Sequence, residues 1–392
     1  MSNANGHVTA PEQPKKKPTP RRDWQWDVEE FYEVHGELQK KETFERYLRE
    51  PLSCDMWVNL PVRKTLYKST GGVHNIELVE TKHFGKVFLM DNLAQSAESD
   101  EFVYHETLVH PAMLAHPNPK TVFIGGGGEG ATAREVLRHT GVERVVMVDI
   151  DKEAVEICRK ILPEWNAPIW DDPRFEIRYG CAREFLANCK ESFDVIIMDI
   201  CDPVEAGPGW HLYTEEFYRE VCLPRLSGPD GIFVTQATSI SVNTLKCSFT
   251  LIVNTVKSVF ASDEGGEGEV MPLRVDVPSF GTPWGFVVAS KDGRRIRQLK
   301  AVSRDPSAGD AEPMAVDAEL DARLGEEGVE DLHFYDAGAQ RMAASFAKYE
   351  RKALEKEKRT FTAANPVFFY LSPEARSDKG SPAPPQVVPE AQ

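Results

Sequence analysis

Three features are scarce in this sequence of 392 residues, and each scarcity excludes a class of protein. No apolar run approaches the roughly eighteen residues that a membrane-spanning helix needs, and the N-terminus lacks the hydrophobic region of a signal peptide. The seven cysteines show no C-x-x-C spacing, which argues against a disulfide framework or a zinc site. Basic residues are outnumbered, with 46 Lys and Arg against 62 Asp and Glu. We therefore expect a cytoplasmic protein with reduced thiols that binds neither membranes nor nucleic acids.

The composition that is present indicates a large folded core with polar ends. The chain is 41% hydrophobic, and its net charge of −16 suits a cationic small substrate. Patterning divides it into six predicted parts: a disordered tail (1–22), a helix and small β-sheet domain (23–98), a Rossmann-like catalytic domain (99–300), an acidic linker or insertion (301–331), a helical extension (332–371) and a second disordered tail (372–392).

The most informative stretch, Thr121 to Asp151, has the pattern of a strand, a glycine turn, a helix and a second strand. Gly125, Gly127 and Gly130 satisfy G-x-G-x-x-G in this context, where glycines let the backbone approach a ligand and the helix start offers free N–H groups. Asp149 lies about twenty residues further on, where an acidic side chain can hold ribose hydroxyls. This stretch predicts a site for a nucleoside-containing ligand rather than a helix–strand packing contact alone.

The rest of the chain predicts a doubly wound, mostly parallel α/β sheet preceded by a small antiparallel β domain. Strands and helices alternate from Thr121 to Gln236, and short alternating runs between Val62 and Ala97 favour antiparallel strands. Helices are expected at Glu29–Tyr32, Lys41–Leu48 and Ser99–Ala115, and later at Thr214–Leu223, Val242–Phe260 and Phe334–Lys358. The carboxyl ends of the parallel strands should meet at the ligand site.

Two acids follow a second apolar strand, in the run FDVIIMDICDP. Asp199 ends that strand and Asp202 lies three residues later, opposite the predicted glycine turn. Paired carboxylates at such an edge can capture an ammonium group and remove its proton. A single Asp there could merely cap a loop, but the pair in a predicted cleft favours a functional site.

Several motifs in one order resemble the polyamine aminopropyltransferases. They are HFGKVFLMDNLAQSAESDEFVYHE, GGGGEGATAREVLRH, VDIDKEAVEIC and FDVIIMDICDP followed by LYTEEFY. The resemblance covers about Leu60 to Ala289 and implies a small N-terminal β domain followed by a Rossmann-like catalytic domain. Within the family, YHE, GGGEG and PSF followed by WG look most like thermospermine synthases.

The resemblance implies transfer of the aminopropyl group of decarboxylated S-adenosylmethionine to a polyamine, with release of methylthioadenosine. Spermidine would be the acceptor and thermospermine the product; no cofactor or metal is expected, because the donor is a co-substrate. The matching positions assign Asp199 as proton acceptor and Asp202 as a ligand of the acceptor amine. Glu129 would face the ammonium of the donor, and Asp149 its ribose. Other matches are donor-binding Gln95, Gly126, Gly127, Gly128, Gly180, Cys181 and Ala182, and acceptor-binding Tyr104, His105, Gln236 and Phe280.

Three positions depart from the general family pattern. Cys181 replaces the usual Asp that meets the adenine amino group, and His74 replaces a frequent donor-binding Gln. Phe280 replaces a Tyr, which removes a hydroxyl and suits a more methylene-rich acceptor. Cys201 is interpreted as a small apolar filler, since no basic residue adjoins it in sequence.

The alternatives that these residues leave open are a spermidine or spermine synthase, an S-adenosylmethionine-dependent methyltransferase, and a catalytically weak polyamine- or nucleoside-binding protein. Glu129 and the pair Asp199 and Asp202 argue against the methyltransferase, but Cys181 keeps that alternative open. The resemblance also implies at least a homodimer, formed through the N-terminal region.

Overall fold

The structure, a computed structural model, describes residues 32–34, 37–39, 44, 46–53, 56–204, 207–242, 244–246, 248–261, 268–302, 313–329 and 331–368. Both predicted tails, 1–22 and 372–392, lie outside these residues. The chain divides into two units, Met1–Phe44 and Glu45–Gln392. In the first unit, strands β1 (Tyr32–Val34) and β2 (Glu37–Gln39) form an antiparallel hairpin. All elements described below belong to the second unit.

A five-stranded antiparallel sheet comes first in this unit. Its strands lie in sequence order: β3 (Arg46–Ser53), β4 (Met56–Ser69), β5 (Ile76–Thr81), β6 (Gly85–Met90) and β7 (Leu93–Ala97). Asp91 and Asn92 form the tight turn between β6 and β7, both with positive φ, a conformation that Asp and Asn tolerate.

The helices predicted at Lys41–Leu48 and Glu29–Tyr32 are wrong where the structure describes them. Leu48 lies in β3 and pairs with Leu60 of β4, and both side chains are buried. Tyr32 lies in β1. Burial of paired leucines across two strands outweighs the helix propensity of the local sequence.

A seven-stranded sheet carries the site. Its strands are β8 (Thr121–Gly126), β9 (Arg144–Asp149), β10 (Phe175–Tyr179), β11 (Val195–Asp199), β12 (Ile232–Ser239), β13 (Glu269–Val277) and β14 (Thr282–Ser290). They lie in the order β10-β9-β8-β11-β12-β14-β13, and the first five are parallel. This confirms the predicted mostly parallel, doubly wound sheet. The strand order reverses beside β8, which opens a crevice at the carboxyl ends of β8 and β11.

Helices cover both faces of this sheet. They are α1 (Glu101–Ala115), α2 (Ala131–Arg138), α3 (Lys152–Ile161), α4 (Pro163–Asn166), α5 (Ala182–Asn188), α6 (Phe249–Phe260), α7 (Arg294–Val302), α8 (Pro313–Glu326), α9 (Ala337–Ala343) and α10 (Lys348–Lys356). The predicted helix Thr214–Leu223 is instead a π-helical turn, Phe217–Cys222, and the one predicted from Val242 begins at Phe249. No helix in the described ranges has the length and apolar character to cross a bilayer.

The acidic stretch expected to be a linker contains α8 and contributes to the core. Leu320 and Leu324 are buried together with Val329. Two leucines four residues apart form a short apolar stripe on one face of a helix, which was too sparse to stand out among the acidic residues. The predicted helical extension that follows contains α9 and α10.

Candidate active site

The glycine turn after β8 lies between the ends of β11 and β9. Gly126 and Gly127 have φ of +82° and +75°, and the Gly127 N–H donates to the Asp199 carbonyl over 2.9 Å. A Cβ on Gly126 would meet that carbonyl oxygen at 2.0 Å, and one on Gly128 would meet Asp149 Oδ2 at 2.8 Å. Only glycine fits this turn, which therefore brings both carboxylates beside the start of α2.

Asp199 lies at the floor of the crevice with a buried carboxylate. Tyr104 Oη donates to its Oδ1 over 2.8 Å, and Thr132 Oγ1 donates to its Oδ2 over 2.5 Å. Burial, and then the charge of Glu129, raise the pKa of Asp199 to about 6, against the opposing effect of His105 and these two hydrogen bonds. A carboxylate with a pKa near neutrality is suited to accept a proton.

Glu129 is held in the glycine turn by a buried chain of alternating charges. Its Oε1 lies 3.1 Å from His105 Nε2, and His105 Nδ1 lies 2.8 Å from Glu101 Oε2, which Arg134 also contacts over 2.9 Å. Burial alone would lower the pKa of His105, but the bonds to Glu101 and Glu129 outweigh it and raise the pKa to about 10. His105 is therefore an imidazolium that fixes the orientation of Glu129.

One group of side chains has the spacing of a metal site. Ligand atoms of His105, Glu129 and Asp199 lie within 4.8 Å of one another. A protonated imidazole has no lone pair to offer a metal, and both ring nitrogens already face carboxylates. The chemistry of this group favours a bound organic cation over a metal ion.

Asp149 and Asp202 are two further acids that line the cavities. Burial raises the pKa of Asp149 to about 7, opposed by the N–H of Asp151, which donates over 2.7 Å, while nearby Glu129 raises it further. Burial also raises the pKa of Asp202 to about 7, and Gln236 Nε2 donates to its Oδ1 over 3.1 Å. Carboxylates with pKa values raised in this way gain most from a cationic or hydroxyl-bearing ligand.

Gln236 connects Asp202 to two aromatic side chains that sequence reasoning did not assign to the site. Its Nε2 contacts Tyr213 Oη and the Ile200 carbonyl, and Trp284 Nε1 donates to its Oε1 over 3.2 Å. Trp284 in turn packs on Phe280 with ring centroids 4.7 Å apart. Tyr213 belongs to the motif LYTEEFY, and Trp284 belongs to the WG that follows PSF. Neither motif indicates a contact with Gln236.

Two adjoining cavities meet at Tyr104 and Gln95. One contains the glycine turn and is lined by Gly126, Gly127, Gly128, Glu129, Asp149, Gly180, Cys181, Ala182 and Asp199. The other is lined by Asp202, Gln236, Phe280, Leu93 and Trp284. Every predicted site residue lines one of these cavities except His105, whose ring lies behind Glu129 because α1 turns it toward Glu101.

The positions that depart from the family pattern also lie in this region. His74 lines both cavities, and its Nδ1 lies 3.1 Å from Asp151 Oδ2. Cys181 is partly exposed in the cavity of the glycine turn, with no disulfide partner. Burial raises the pKa of the Cys201 thiol, which agrees with a filler rather than a nucleophile.

This geometry defines a class of protein: a Rossmann-like fold in which a cavity at a glycine turn, containing the buried Asp199, adjoins a second cavity lined by Asp202 and aromatic side chains. Comparison with known proteins gives the family. Residues 101–299 match the spermine/spermidine synthase domain, and residues 54–98 match the spermidine synthase tetramerisation domain. The chain belongs to the spermidine/spermine synthase family and is a polyamine aminopropyltransferase.

Individual relatives agree with this assignment. The chain is 38% identical to thermospermine synthase ACAULIS5 of Arabidopsis thaliana over 346 residues, which covers 87% of this chain and 94% of the relative. It is 42% identical to a polyamine aminopropyltransferase of Aeropyrum pernix, covering 78% and 90% of the two chains. A crystal structure of spermidine synthase in complex with the transition state analogue AdoDATO superposes with a TM-score of 0.65 at 27% identity, covering 80% of this chain and 96% of that one.

Proposed function

We propose that this aminopropyltransferase makes thermospermine from spermidine and decarboxylated S-adenosylmethionine, and releases methylthioadenosine. The observation that carries the proposal is the place of Asp199, a buried carboxylate in the cavity of the glycine turn that accepts from Tyr104, a residue lining both cavities. One cavity suits the nucleoside donor and the other suits a chain of methylenes with amino groups.

The donor would occupy the cavity of the glycine turn. Asp149 would accept hydrogen bonds from the ribose hydroxyls, and Glu129 would pair with the ammonium of the aminopropyl group. Glu129 is buried, so the carboxylate of intact S-adenosylmethionine would be repelled at the same place. This repulsion supports an aminopropyl donor and argues against the methyltransferase alternative.

The acceptor would occupy the neighbouring cavity. Asp202, oriented by Gln236, would hold one ammonium group, while Phe280 and Trp284 would contact the methylenes. Phe280 offers no hydroxyl in this wall, which supports spermidine over the shorter putrescine. The name of the Arabidopsis relative, a thermospermine synthase, supports thermospermine as the product.

The reaction would form a C–N bond and break a C–S bond. Asp199 would accept the proton that the attacking amine must lose, and the amine lone pair would displace the sulfonium from the methylene carbon. The electron pair of the C–S bond would return to sulfur, leaving methylthioadenosine as a neutral thioether. In-line positioning in the joined cavities and the electrostatic effect of Glu129 and Asp202 would supply much of the rate.

The test is an acceptor panel with the purified protein. With the decarboxylated donor, spermidine should release methylthioadenosine faster than putrescine or spermine, and the product should co-elute with thermospermine rather than spermine. Asp199→Asn should lose at least about a hundredfold in kcat, because it removes the proton acceptor. Full activity in that variant would refute the role of Asp199, and donor binding without turnover in the wild type would favour the catalytically weak binding protein.

We also propose that the protein is a homodimer or a higher homo-oligomer. The match of residues 54–98 to a tetramerisation domain supports it. Sedimentation velocity on the purified protein would measure the assembly, and a monomer at micromolar concentration would refute it. The cytoplasmic location stays a prediction.

A further inference from the structure

Three consecutive residues of α1 hold three different parts of the molecule. Tyr104 donates to Asp199, and His105 pairs with Glu129. The next residue, Glu106, is fully buried and points away from the cavities toward the C-terminal segment. The helical turn that carries the two site contacts is therefore also an anchor for a distant part of the chain.

Glu106 binds a nest of successive backbone N–H groups. Its Oε1 accepts from His333 over 2.9 Å, and its Oε2 accepts from Phe334 and Tyr335, each over 2.8 Å. A carboxylate can accept from all three N–H groups, and its negative charge suits them. The side-chain amide of a Gln would instead place its own NH2 donor against one or more of these N–H groups. The ring of Tyr335 also packs 5.7 Å from that of His110 on α1.

The same segment also packs behind the acceptor cavity, against residues that contact its lining. The Phe361 N–H donates to Thr255 Oγ1 over 2.8 Å, and its carbonyl accepts from the Glu215 N–H over 2.7 Å. Its buried ring lies 6.4 Å from that of Tyr213, whose hydroxyl contacts Gln236. Residues 331–361, which we name the C-terminal brace, therefore contact α1 and also Tyr213, which contacts the Gln236 side chain that donates to Asp202.

We propose that Glu106 is a positioning residue, which fixes Tyr104 against Asp199 by tying α1 to the C-terminal brace. The brace lies outside the residues that match the synthase domain, 101–299. The inference rests on the proposed function in that Asp199 is taken as the proton acceptor. A displacement of α1 would lengthen the Tyr104 bond, and losses of this kind are large when an approach of about 3 Å must be kept.

The experiment compares Glu106→Gln with Glu350→Gln in the full-length chain. Glu350 is a matched control, because it is also fully buried and lies within the brace. Its partners are Arg274, Tyr349 Oη and the Ala347 N–H rather than residues of α1. Both variants should lower the melting temperature. Of the two variants, only Glu106→Gln should lower kcat, by about tenfold. It should also move the acid limb of the profile of kcat against pH, where activity rises as Asp199 loses its proton, to higher pH. The reason is that the hydrogen bond from Tyr104 lowers the pKa of Asp199.

A double variant makes the assignment specific. Tyr104→Phe should give the same shift of the acid limb, and adding Glu106→Gln to it should move the limb no further, since both changes remove one interaction. Additive shifts, or equal pH profiles for Glu106→Gln and Glu350→Gln, would reduce Glu106 to a structural anchor and overturn the proposal.

Two further experiments apply if Glu106→Gln does not fold or if the wild type has no activity on polyamines. If Glu106→Gln does not fold, His333→Pro removes one of the three donors from the brace and leaves α1 intact, and the same shift is expected. If the wild type turns over no polyamine, the proposed function fails. The brace is then tested by the pH dependence of thermal stability, where an unchanged Asp199 titration in His333→Pro would overturn it.

Discussion

Replacing His105 with Gln should move the acid limb of catalysis toward alkaline pH. In the wild type, activity should rise as Asp199 loses its proton near its pKa of about 6. The imidazolium of His105 lies within 4.8 Å of the Asp199 carboxylate, where two unit charges interact by 332/(20 × 4.8), about 3.5 kcal/mol at an effective dielectric constant of 20. That energy corresponds to about 2.5 pKa units at 1.36 kcal/mol each, before rearrangement of Glu101 and Glu129 reduces it.

We therefore expect a shift of at least about one pH unit, with kcat near pH 6 reduced about tenfold and largely restored at pH 9. Gln can still contact Glu129, so the fold should tolerate the change. The assay is methylthioadenosine release at saturating substrates from pH 5 to 9.5, with Asp199→Asn as a control that should show no such limb. A limb that stays in place while kcat falls at every pH would mean that His105 is not a cation, and would refute the charge assignments around Glu129.

Two other substitutions test the departures from the family pattern. Cys181→Asp should lower the KM of the donor several-fold by pairing with the adenine amino group, while the KM of spermidine stays unchanged; an unaltered donor KM would show that adenine is held elsewhere. Phe280→Tyr should place a hydroxyl in the wall of the acceptor cavity, because the ring lies against Trp284 and Tyr104, and should raise kcat/KM for putrescine relative to spermidine by about tenfold. Competition between the two acceptors would measure that ratio.

The sheet and the glycine turn could be predicted because their signals are local. Four of the five parallel strands, β8, β9, β11 and β12, are buried on both faces and have largely apolar sequences. The turn needs glycine where φ is positive and a carbonyl lies close by. Asp149 and Asp199 follow directly, since each ends a strand at the crevice.

The supporting contacts could not be predicted, because they join residues that are far apart in the chain. Glu106 meets backbone N–H groups 227 to 229 residues later, and Gln236 meets Tyr213 and Trp284 from separate elements. The position of His105 also could not be predicted. The spacing of residues along α1 does not show whether a side chain lines a cavity or, like His105, lies behind a residue that does. Strand β3 was missed for a similar reason, since the pairing of Leu48 with Leu60 is a property of the sheet and not of either segment.

The acids of the two cavities place stability and activity in opposition. The pKa values of Asp199, Asp149 and Asp202 are raised from 3.8 to about 6, 7 and 7, so the folded state binds protons more tightly than the unfolded state does. Their contribution to stability therefore falls as the pH rises from about 4, and the loss is complete above about 7. The enzyme would work where these groups are charged, and selection for thermal stability alone would replace them with amides or apolar residues. A bound polyamine supplies positive charge beside these carboxylates, so it should stabilise the folded state in addition to taking part in the reaction.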